Sequence, residues 1–261
     1  MSGLFDSLSH PTLTGQWFAR DLDATWPTLV KGMREGGFSR ACAVGLAGVE
    51  GYEHEAFVEA CRPHPELVPI AGIDPRGDLA SELRRVKDLG FAGIKLHPRL
   101  SGFTLGDDCL ADAFRAAREV DLPVFLCTYC HGPVERAPLE DPLYGLARAL
   151  RAVPDVRLLL LHGGDVELMR YMQLVRHSPN ILIDLSFTMM KYPGSSLDLD
   201  LAYLMRGFNR RTCFGVDHPE YTHADVRARF DELSAGLSAE ERENVGFRNL
   251  ARFLRLPEQL P

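Results

Sequence analysis

The sequence predicts an α/β fold of the (β/α)8 class, the TIM barrel, and two observations support this prediction. Short apolar runs alternate with longer amphipathic segments, as parallel strands alternate with the helices that cover them. The ends of eight such runs fall between residues 10 and 217, which gives about 30 residues per unit, a usual length for a β–α repeat. Because no linker interrupts the pattern, we expect a single domain over residues 1–261.

The apolar runs predict the strands in order. They are GLFDSLSH, ACAVGLAG, LVPIAGID, FAGIKLH, LPVFLCT, VRLLLLHGG, NILIDLS and TCFGVD. The segments between them space their apolar residues at helical intervals, as in DLASELRRVKDLG, LADAFRAAREVD and DVRARFDELSAG. The C-terminal stretch LSAEERENVGFRNLARFLRL predicts one or two closing helices. A dinucleotide-binding sheet is disfavoured, because no GxGxxG motif opens a helix.

Composition narrows the partners and the compartment. The net charge of −7 argues against nucleic acid and anionic membranes as partners. The N-terminus has no basic segment followed by an apolar run, and no apolar stretch approaches the roughly 20 residues of a membrane span. The six cysteines are scattered through a large chain, which favours reduced thiols. We therefore expect a cytoplasmic protein that acts on a small molecule.

Ionisable residues collect at the predicted strand ends, where the chemistry of this fold takes place. They are His10 on the first strand, Lys95 and His97 on the fourth, Cys127 on the fifth, His162 on the sixth, and Asp217 and His218 on the eighth. Each follows an apolar run, where a polar group is costly to bury unless it is paired or ligating. One such histidine could simply bind the backbone, but five strand ends of this kind predict an active site.

Three segments are similar to signatures of the amidohydrolase superfamily. FAGIKLHPRLSGFTLGD, LLLLHGGD and CFGVDHP resemble the fourth, sixth and eighth strands of its amidohydrolase-related group, which includes aminocarboxymuconate-semialdehyde decarboxylase. The resemblance extends from FDSLSHP to FRNLARFL, nearly the whole chain. It implies a TIM barrel, a metal-dependent hydrolase or decarboxylase, and a homodimer.

The resemblance also implies which residues hold the metal. His10 matches the second histidine of the family's first-strand His-x-His, His162 the sixth-strand histidine, and Asp217 the eighth-strand aspartate. Two positions depart from the pattern, because Leu8 stands in place of the first histidine and Cys127 in place of the fifth-strand histidine. The candidate metal ligands are therefore His10, Cys127, His162 and Asp217.

Two interpretations of the metal site remain open at this point. A zinc ion takes about four N, S or O ligands, and the Cys127 thiolate could replace a histidine, with Cys130 or His131 adding another donor. Alternatively, Leu8 and Cys127 pack as apolar residues around a site that has lost its metal. The cofactor expected is one divalent metal, zinc before others, or none.

Asp217 and His162 are the candidate catalytic residues. With a metal they would handle the proton of the bound water and the leaving group. Without one, an Asp–His pair can still activate water against a reactive ester or lactone. Cys127 as a nucleophile, with His162 as its base, is a third alternative.

Lys95, His97 and Arg99 are the candidate residues that bind a substrate carboxylate. We therefore predict a hydrolase of C–N, lactone or ester bonds, or a decarboxylase, that acts on a small carboxylated substrate. The alternative is a non-catalytic, metal-free barrel that binds a ligand or serves as a scaffold.

Two further expectations concern side-chain directions. Strand alternation predicts that Asp6, Leu8 and His10 lie on one face of the first strand. Aromatic and methionine residues in the long loops could line an apolar pocket or serve as ordinary loop packing, which look the same in sequence; they are Phe103, Tyr129, Phe187, Met189, Met190 and Tyr192.

Overall fold

Eight parallel strands form the barrel in this computed structural model, which describes residues 3–49, 51–133, 135, 137 and 139–258. The strands are β1 (Leu4–Ser9), β2 (Phe38–Val44), β3 (Leu67–Ile73), β4 (Gly93–Leu96), β5 (Val124–Cys127), β6 (Leu158–Leu161), β7 (Ile181–Asp184) and β8 (Thr212–Cys213). They pair in chain order. The barrel closes where the Asp217 amide donates to the Leu8 carbonyl, at 2.7 Å. The predicted (β/α)8 fold is confirmed.

Helices cover the outside of the barrel. They are α1 (Trp26–Gly36), α2 (His54–Cys61), α3 (Leu79–Asp88), α4 (Pro98–Ser101), α5 (Asp108–Glu119), α6 (Pro142–Ala152), α7 (Leu168–His177), α8 (Thr188–Lys191), α9 (Leu197–Gly207), α10 (His223–Leu233), α11 (Ala239–Glu243) and α12 (Asn249–Phe253). A 3-10 segment spans His162–Glu167, and a π-helical turn, Asn244–Arg248, joins α11 to α12. Within the described part of the chain, no helix is both long and apolar enough to cross a membrane.

Strand residues alternate between two apolar layers. In β6, Leu158 and Leu160 belong to the large cluster between strands and helices, whereas Leu159 and Leu161 belong to the cluster inside the barrel. The inner cluster fills the lower part of the barrel, as branched and aromatic side chains do in this fold. The apolar filling leaves the mouth formed by the strand C-termini as the open end of the barrel interior.

Strand β1 departs from simple alternation. Phe5 and Leu8 both belong to the inner cluster, and the pairing of β1 with β2 breaks its register between them. Asp6 does not share their face, because its carboxylate lies 3.3 Å from the Nε2 atom of His223 on α10. The expectation that Asp6, Leu8 and His10 share one face was therefore wrong for Asp6, since an irregularity of this kind re-aims the side chains around it.

Candidate active site

A cavity of about 400 Å³ opens at the C-terminal mouth of the barrel. It is lined by His10, Trp17, Phe18, Arg20, Leu46, Lys95, His97, Arg99, Leu100, Tyr129, His162, Phe187, Asp217 and Glu220. Six of the seven candidate site residues from the sequence thus surround one cavity. The seventh, Cys127, is fully buried and is not part of the lining. His218 is also buried and is not part of the lining.

His10 and Asp217 form a pair at the seam where the barrel closes. The His10 Nε2 atom lies 3.6 Å from Asp217 Oδ1, and His10 Nδ1 lies 2.8 Å from the carbonyl oxygen of Val44. Because a carbonyl only accepts, Nδ1 carries the proton and Nε2 presents a lone pair towards Asp217. Burial and the positive charge of Lys95 hold the pKa of His10 well below its ordinary value, so the ring is neutral at neutral pH.

Asp217 is a carboxylate held in an unfavourable environment. Its side chain is almost fully buried, and its backbone adopts a φ of 59°, a left-handed conformation that is uncommon outside glycine. Burial raises the pKa of Asp217 to about 8, although the positive charge of Lys95 acts in the opposite direction. A base with a pKa near the working pH combines availability with a strong drive to take a proton.

Lys95 brings a buried ammonium group to the cavity. Only 1% of the residue is exposed, and among the described residues its Nζ atom has no hydrogen-bond partner. Burial lowers the pKa of Lys95, while the negative charges of Cys127, Asp217 and Asp184 oppose that change. These acidic groups thus favour the ammonium form of Lys95, although none of them accepts a hydrogen bond from it.

His162 lines the cavity and interacts with Cys127, which is fully buried behind the lining. The Nδ1 atom of His162 lies 3.2 Å from the carbonyl oxygen of Ser186, and the same ring acts on the buried Cys127 thiol. Burial opposes ionisation of this thiol, but His162 and the charges of Lys95 and Arg99 outweigh it and lower the pKa of Cys127 to about 6. Cys127 is therefore a second anion below the cavity floor.

Arg99 and His97 form the wall above Lys95. The Arg99 guanidinium lies over the ring of Tyr129, 4.5 Å from its centroid, and none of the described carboxylates forms an ion pair with it. The hydroxyl of Tyr129 accepts a hydrogen bond from Lys191 at 2.7 Å, which fixes the ring that Arg99 lies on. His97 caps α4, and its Nδ1 atom accepts from the Leu100 amide at 3.4 Å.

A short hairpin, Gln16–Trp17 with Arg20–Asp23, covers part of the cavity and was not predicted from the sequence. Trp17 stacks on His10 with a centroid distance of 5.4 Å, and its indole nitrogen donates to Glu220 at 2.7 Å. Arg20 also pairs with Glu220. The only hint in the sequence is a tryptophan in a polar stretch, GQWFARD, that lacks the Asn-Gly or Asp-Gly turn typical of a hairpin.

The loop residues predicted to line an apolar pocket divide into two groups. Tyr129 and Phe187 line the cavity. Phe103 and Met189 are instead buried in the cluster between strands and helices, and Met190 and Tyr192 pack against that cluster, so ordinary packing is the alternative that holds for these four. Loop sequence alone does not distinguish these places, because an aromatic residue is equally suited to both.

The described residues do not fit a resident divalent metal. A catalytic zinc ion takes about three protein ligands, and no group of three or more His, Cys, Asp or Glu side chains in the described ranges is arranged to hold one. His10 and Asp217 have a spacing suited to two ligands, but Leu8 is buried in the apolar interior and offers no donor. Cys130 and His131, the two further donors suggested by the sequence, do not complete the ligand set. Cys130 packs against the apolar cluster between strands and helices, and Nε2 of the exposed His131 lies 3.9 Å from Oδ2 of Asp165.

Comparison with known proteins identifies the family. The family model described as amidohydrolase matches residues 14–256 of the chain. This chain belongs to the amidohydrolase family. The predicted family is thereby confirmed, and with it the prediction of an enzyme of the hydrolase or decarboxylase kind. A search of curated protein sequences gives no match.

Solved structures with the same fold resemble this amidohydrolase over most of its length. An uncharacterised TIM-barrel protein from Bordetella bronchiseptica is 18% identical, covering 97% of this chain and 98% of its own, with a TM-score of 0.77. A probable 2-pyrone-4,6-dicarboxylic acid hydrolase from Acinetobacter baumannii, solved with citric acid bound, is 16% identical over 97% and 100%, with a TM-score of 0.72. At sequence identities this low, the similarity shows that these proteins share the fold of this chain and shows nothing further.

A third similar structure contains a metal. The 5-carboxyvanillate decarboxylase from Novosphingobium aromaticivorans, in complex with manganese and 4-hydroxy-3-methoxy-5-nitrobenzoic acid, is 17% identical to this chain. The match covers 87% of this chain and 79% of the decarboxylase, with a TM-score of 0.65. A metal ion thus occurs in a structural neighbour of this amidohydrolase.

Proposed function

We propose that this amidohydrolase hydrolyses a small lactone or reactive ester that carries a carboxylate, and that it does so without a resident metal ion. The observation that carries the proposal is the composition of one cavity. A buried carboxylate, Asp217, faces it together with two cations, Lys95 and Arg99, for which none of the described carboxylates forms an ion pair. Unpaired cations in a concave site favour an anionic substrate.

Arg99 and His97 are the residues that we assign to the substrate carboxylate. A guanidinium can bind a carboxylate with two parallel hydrogen bonds, and Tyr129 already orients this one. Because His97 Nδ1 accepts from the Leu100 amide, its Nε2 carries the proton and can donate to the same anion. Lys95 lies deeper, where it faces the bond that reacts.

Asp217 is the residue that we assign as general base. It takes a proton from a water molecule while the oxygen of that water attacks the carbonyl carbon. The neutral Nε2 atom of His10, 3.6 Å from Asp217, helps to orient the water by accepting its second hydrogen. When the ring C–O bond breaks, Asp217 returns the proton to the leaving oxygen. The Nδ1 proton of His162 is directed at the Ser186 carbonyl, so Nε2 of this cavity residue can accept a hydrogen bond from the hydroxyl that forms.

The bond type follows from the strength of the electrophile. A site without a divalent ion polarises a carbonyl less than a metal site does, so it favours esters and lactones over the less reactive amides. The fold shared with a probable 2-pyrone-4,6-dicarboxylic acid hydrolase supports this choice, because that compound is a carboxylated lactone.

A substrate panel tests the proposal. We would assay 2-pyrone-4,6-dicarboxylate and other carboxylated lactones, the same lactones without carboxylate, and 5-carboxyvanillate as a probe of decarboxylation. The proposal requires ring opening of at least one carboxylated lactone, with much weaker turnover of its uncharged counterpart. Release of carbon dioxide without ring opening, or saturable binding without any turnover, would contradict it.

A further inference from the structure

We infer that the ammonium group of Lys95 stands in for a catalytic metal ion in this barrel, where it neutralises the anionic floor of the cavity and polarises the carbonyl under attack. The second half of this inference rests on the proposed function, and the first half does not. The evidence is the position of Lys95, its lack of a partner, and the charges that surround it.

The position of Lys95 directs its side chain into the barrel. On β4 it pairs in register with Phe125 of β5, whose ring belongs to the inner cluster. The residue lines the cavity although only 1% of it is exposed. Its Nζ atom therefore reaches the mouth of the barrel from below.

The absence of a hydrogen-bond partner for Nζ among the described residues indicates that Lys95 binds a ligand. Among the described residues, Nζ donates a hydrogen bond to no carbonyl, hydroxyl or carboxylate oxygen. Taking an ammonium ion out of water costs several kcal/mol, which a structural lysine recovers by bonding to neighbouring oxygens. Lys95 makes no such hydrogen bond, so the N–H groups of its ammonium remain available to a ligand bound in the cavity.

The charges around Lys95 explain why a second cation is not needed. Cys127, Asp217 and Asp184 are the acidic groups whose negative charges, when they are ionised, raise the pKa of Lys95 and favour its charged form. Asp184 lies below the cavity and accepts hydrogen bonds from Ser7 and from the backbone of His162. A divalent ion brought to the same groups would also be repelled by the ammonium, since like charges repel more strongly in a medium of low dielectric constant than in water.

The chemistry assigned to Lys95 is electrostatic and needs no proton transfer. As water adds to the carbonyl carbon, the carbonyl oxygen takes on negative charge, and the ammonium donates a hydrogen bond to it. The carbonyl re-forms when the ring C–O bond breaks, and Lys95 leaves the cycle unchanged. Donors aimed at such an oxyanion typically contribute about 10²–10³ in kcat.

Zinc titration tests the first half of the inference without any substrate. Chelator-treated wild type, Lys95→Gln and Lys95→Arg would be titrated with Zn²⁺ by calorimetry, after thermal melts establish that each is folded. We expect Lys95→Gln to bind one zinc at least about tenfold more tightly than wild type. Lys95→Arg, which keeps the charge, should match wild type. If Lys95→Gln fails to fold, Lys95→Met takes its place.

A double variant distinguishes zinc bound in the cavity from zinc bound by surface histidines. Adding Asp217→Asn to Lys95→Gln should abolish the gained affinity, because the zinc then loses a ligand in the cavity. The inference is overturned if wild type already binds zinc as tightly as Lys95→Gln does. It is equally overturned if removing the ammonium brings no gain in affinity.

Steady-state kinetics test the second half. On a carboxylated lactone, Lys95→Gln should lower kcat by about 10²–10³ with little change in KM, and Lys95→Arg should restore part of the loss. A rise in KM at constant kcat would show that Lys95 only binds substrate. If no lactone is turned over, the proposed function fails, while the zinc titration still decides the role of the charge.

Discussion

The Nε2 atom of His10 lies 3.6 Å from Oδ1 of Asp217, across the seam where the first and last strands of the barrel meet. The same seam is held by hydrogen bonds from the Asp217 amide to Leu8 and from the His10 amide to His218, both 2.7 Å long. The backbone hydrogen bonds that close the barrel therefore also set the geometry of the His10–Asp217 pair. The residues assigned to water activation are positioned by the backbone and need no metal to bring them together.

Asp217→Asn should lower kcat on a carboxylated lactone by about 10²–10⁴, the usual contribution of a general base, and leave the fold intact. In wild type, only the ionised carboxylate is active. Because burial raises the pKa of Asp217 to about 8, kcat/KM should rise with pH and level off above that value. A pH–rate profile from acid to alkaline conditions measures this. A rate that is constant across neutral pH would contradict the assignment.

Arg99→Ala should raise KM for the carboxylated substrate by about 10- to 100-fold with kcat nearly unchanged, because the lost hydrogen bonds are made equally before and during the reaction. Arg20→Ala is the matched control, since Arg20 lines the same cavity but already pairs with Glu220. Its effect on KM should be much smaller. Equal effects of the two variants would mean that general positive charge, rather than Arg99, selects the substrate.

Cys127→Ala should keep kcat within about tenfold of wild type, because the fully buried thiol does not line the cavity and is not the nucleophile. Mass spectrometry of the wild type during turnover should show no acylated Cys127. A covalent adduct, together with complete loss of activity in the variant, would instead establish the alternative in which His162 activates Cys127.

Leu8→His, which installs the residue that the family resemblance implies at this position, should destabilise the protein by about 1–3 kcal/mol, because it buries a polar ring in the apolar interior. Leu8→Met, which keeps the volume and the polarity, should cost less than about 1.5 kcal/mol. Denaturant unfolding measures both. Since Lys95 remains in place, Leu8→His should not gain stoichiometric zinc, and a gain by this single change would contradict the account of the missing metal.

The strand ends could be predicted from the sequence because a polar residue that follows an apolar run marks the rim of a barrel strand. His10, Lys95, His162 and Asp217 were found in this way. The direction of Asp6 could not be predicted, because a register break in β1 replaces strict alternation. The lack of a hydrogen-bond partner for the Lys95 ammonium could not be predicted either, because only the folded structure shows which oxygen atoms lie near it.

The hairpin that carries Trp17 and Arg20 escaped prediction for a different reason. Its strands are only two and four residues long, too short for any periodic pattern of apolar residues. Its position depends on contacts with distant residues, among them the stacking of Trp17 on His10 and the bonds to Glu220. Such tertiary contacts leave no mark on the local sequence.

The most direct test of the central claim is to measure metal content and turnover of a carboxylated lactone on the same preparation, before and after treatment with a chelator. The account predicts clearly substoichiometric zinc, manganese and iron, and a kcat that the chelator does not change. One metal ion per chain, with activity that is lost on chelation and restored by the ion, would contradict it.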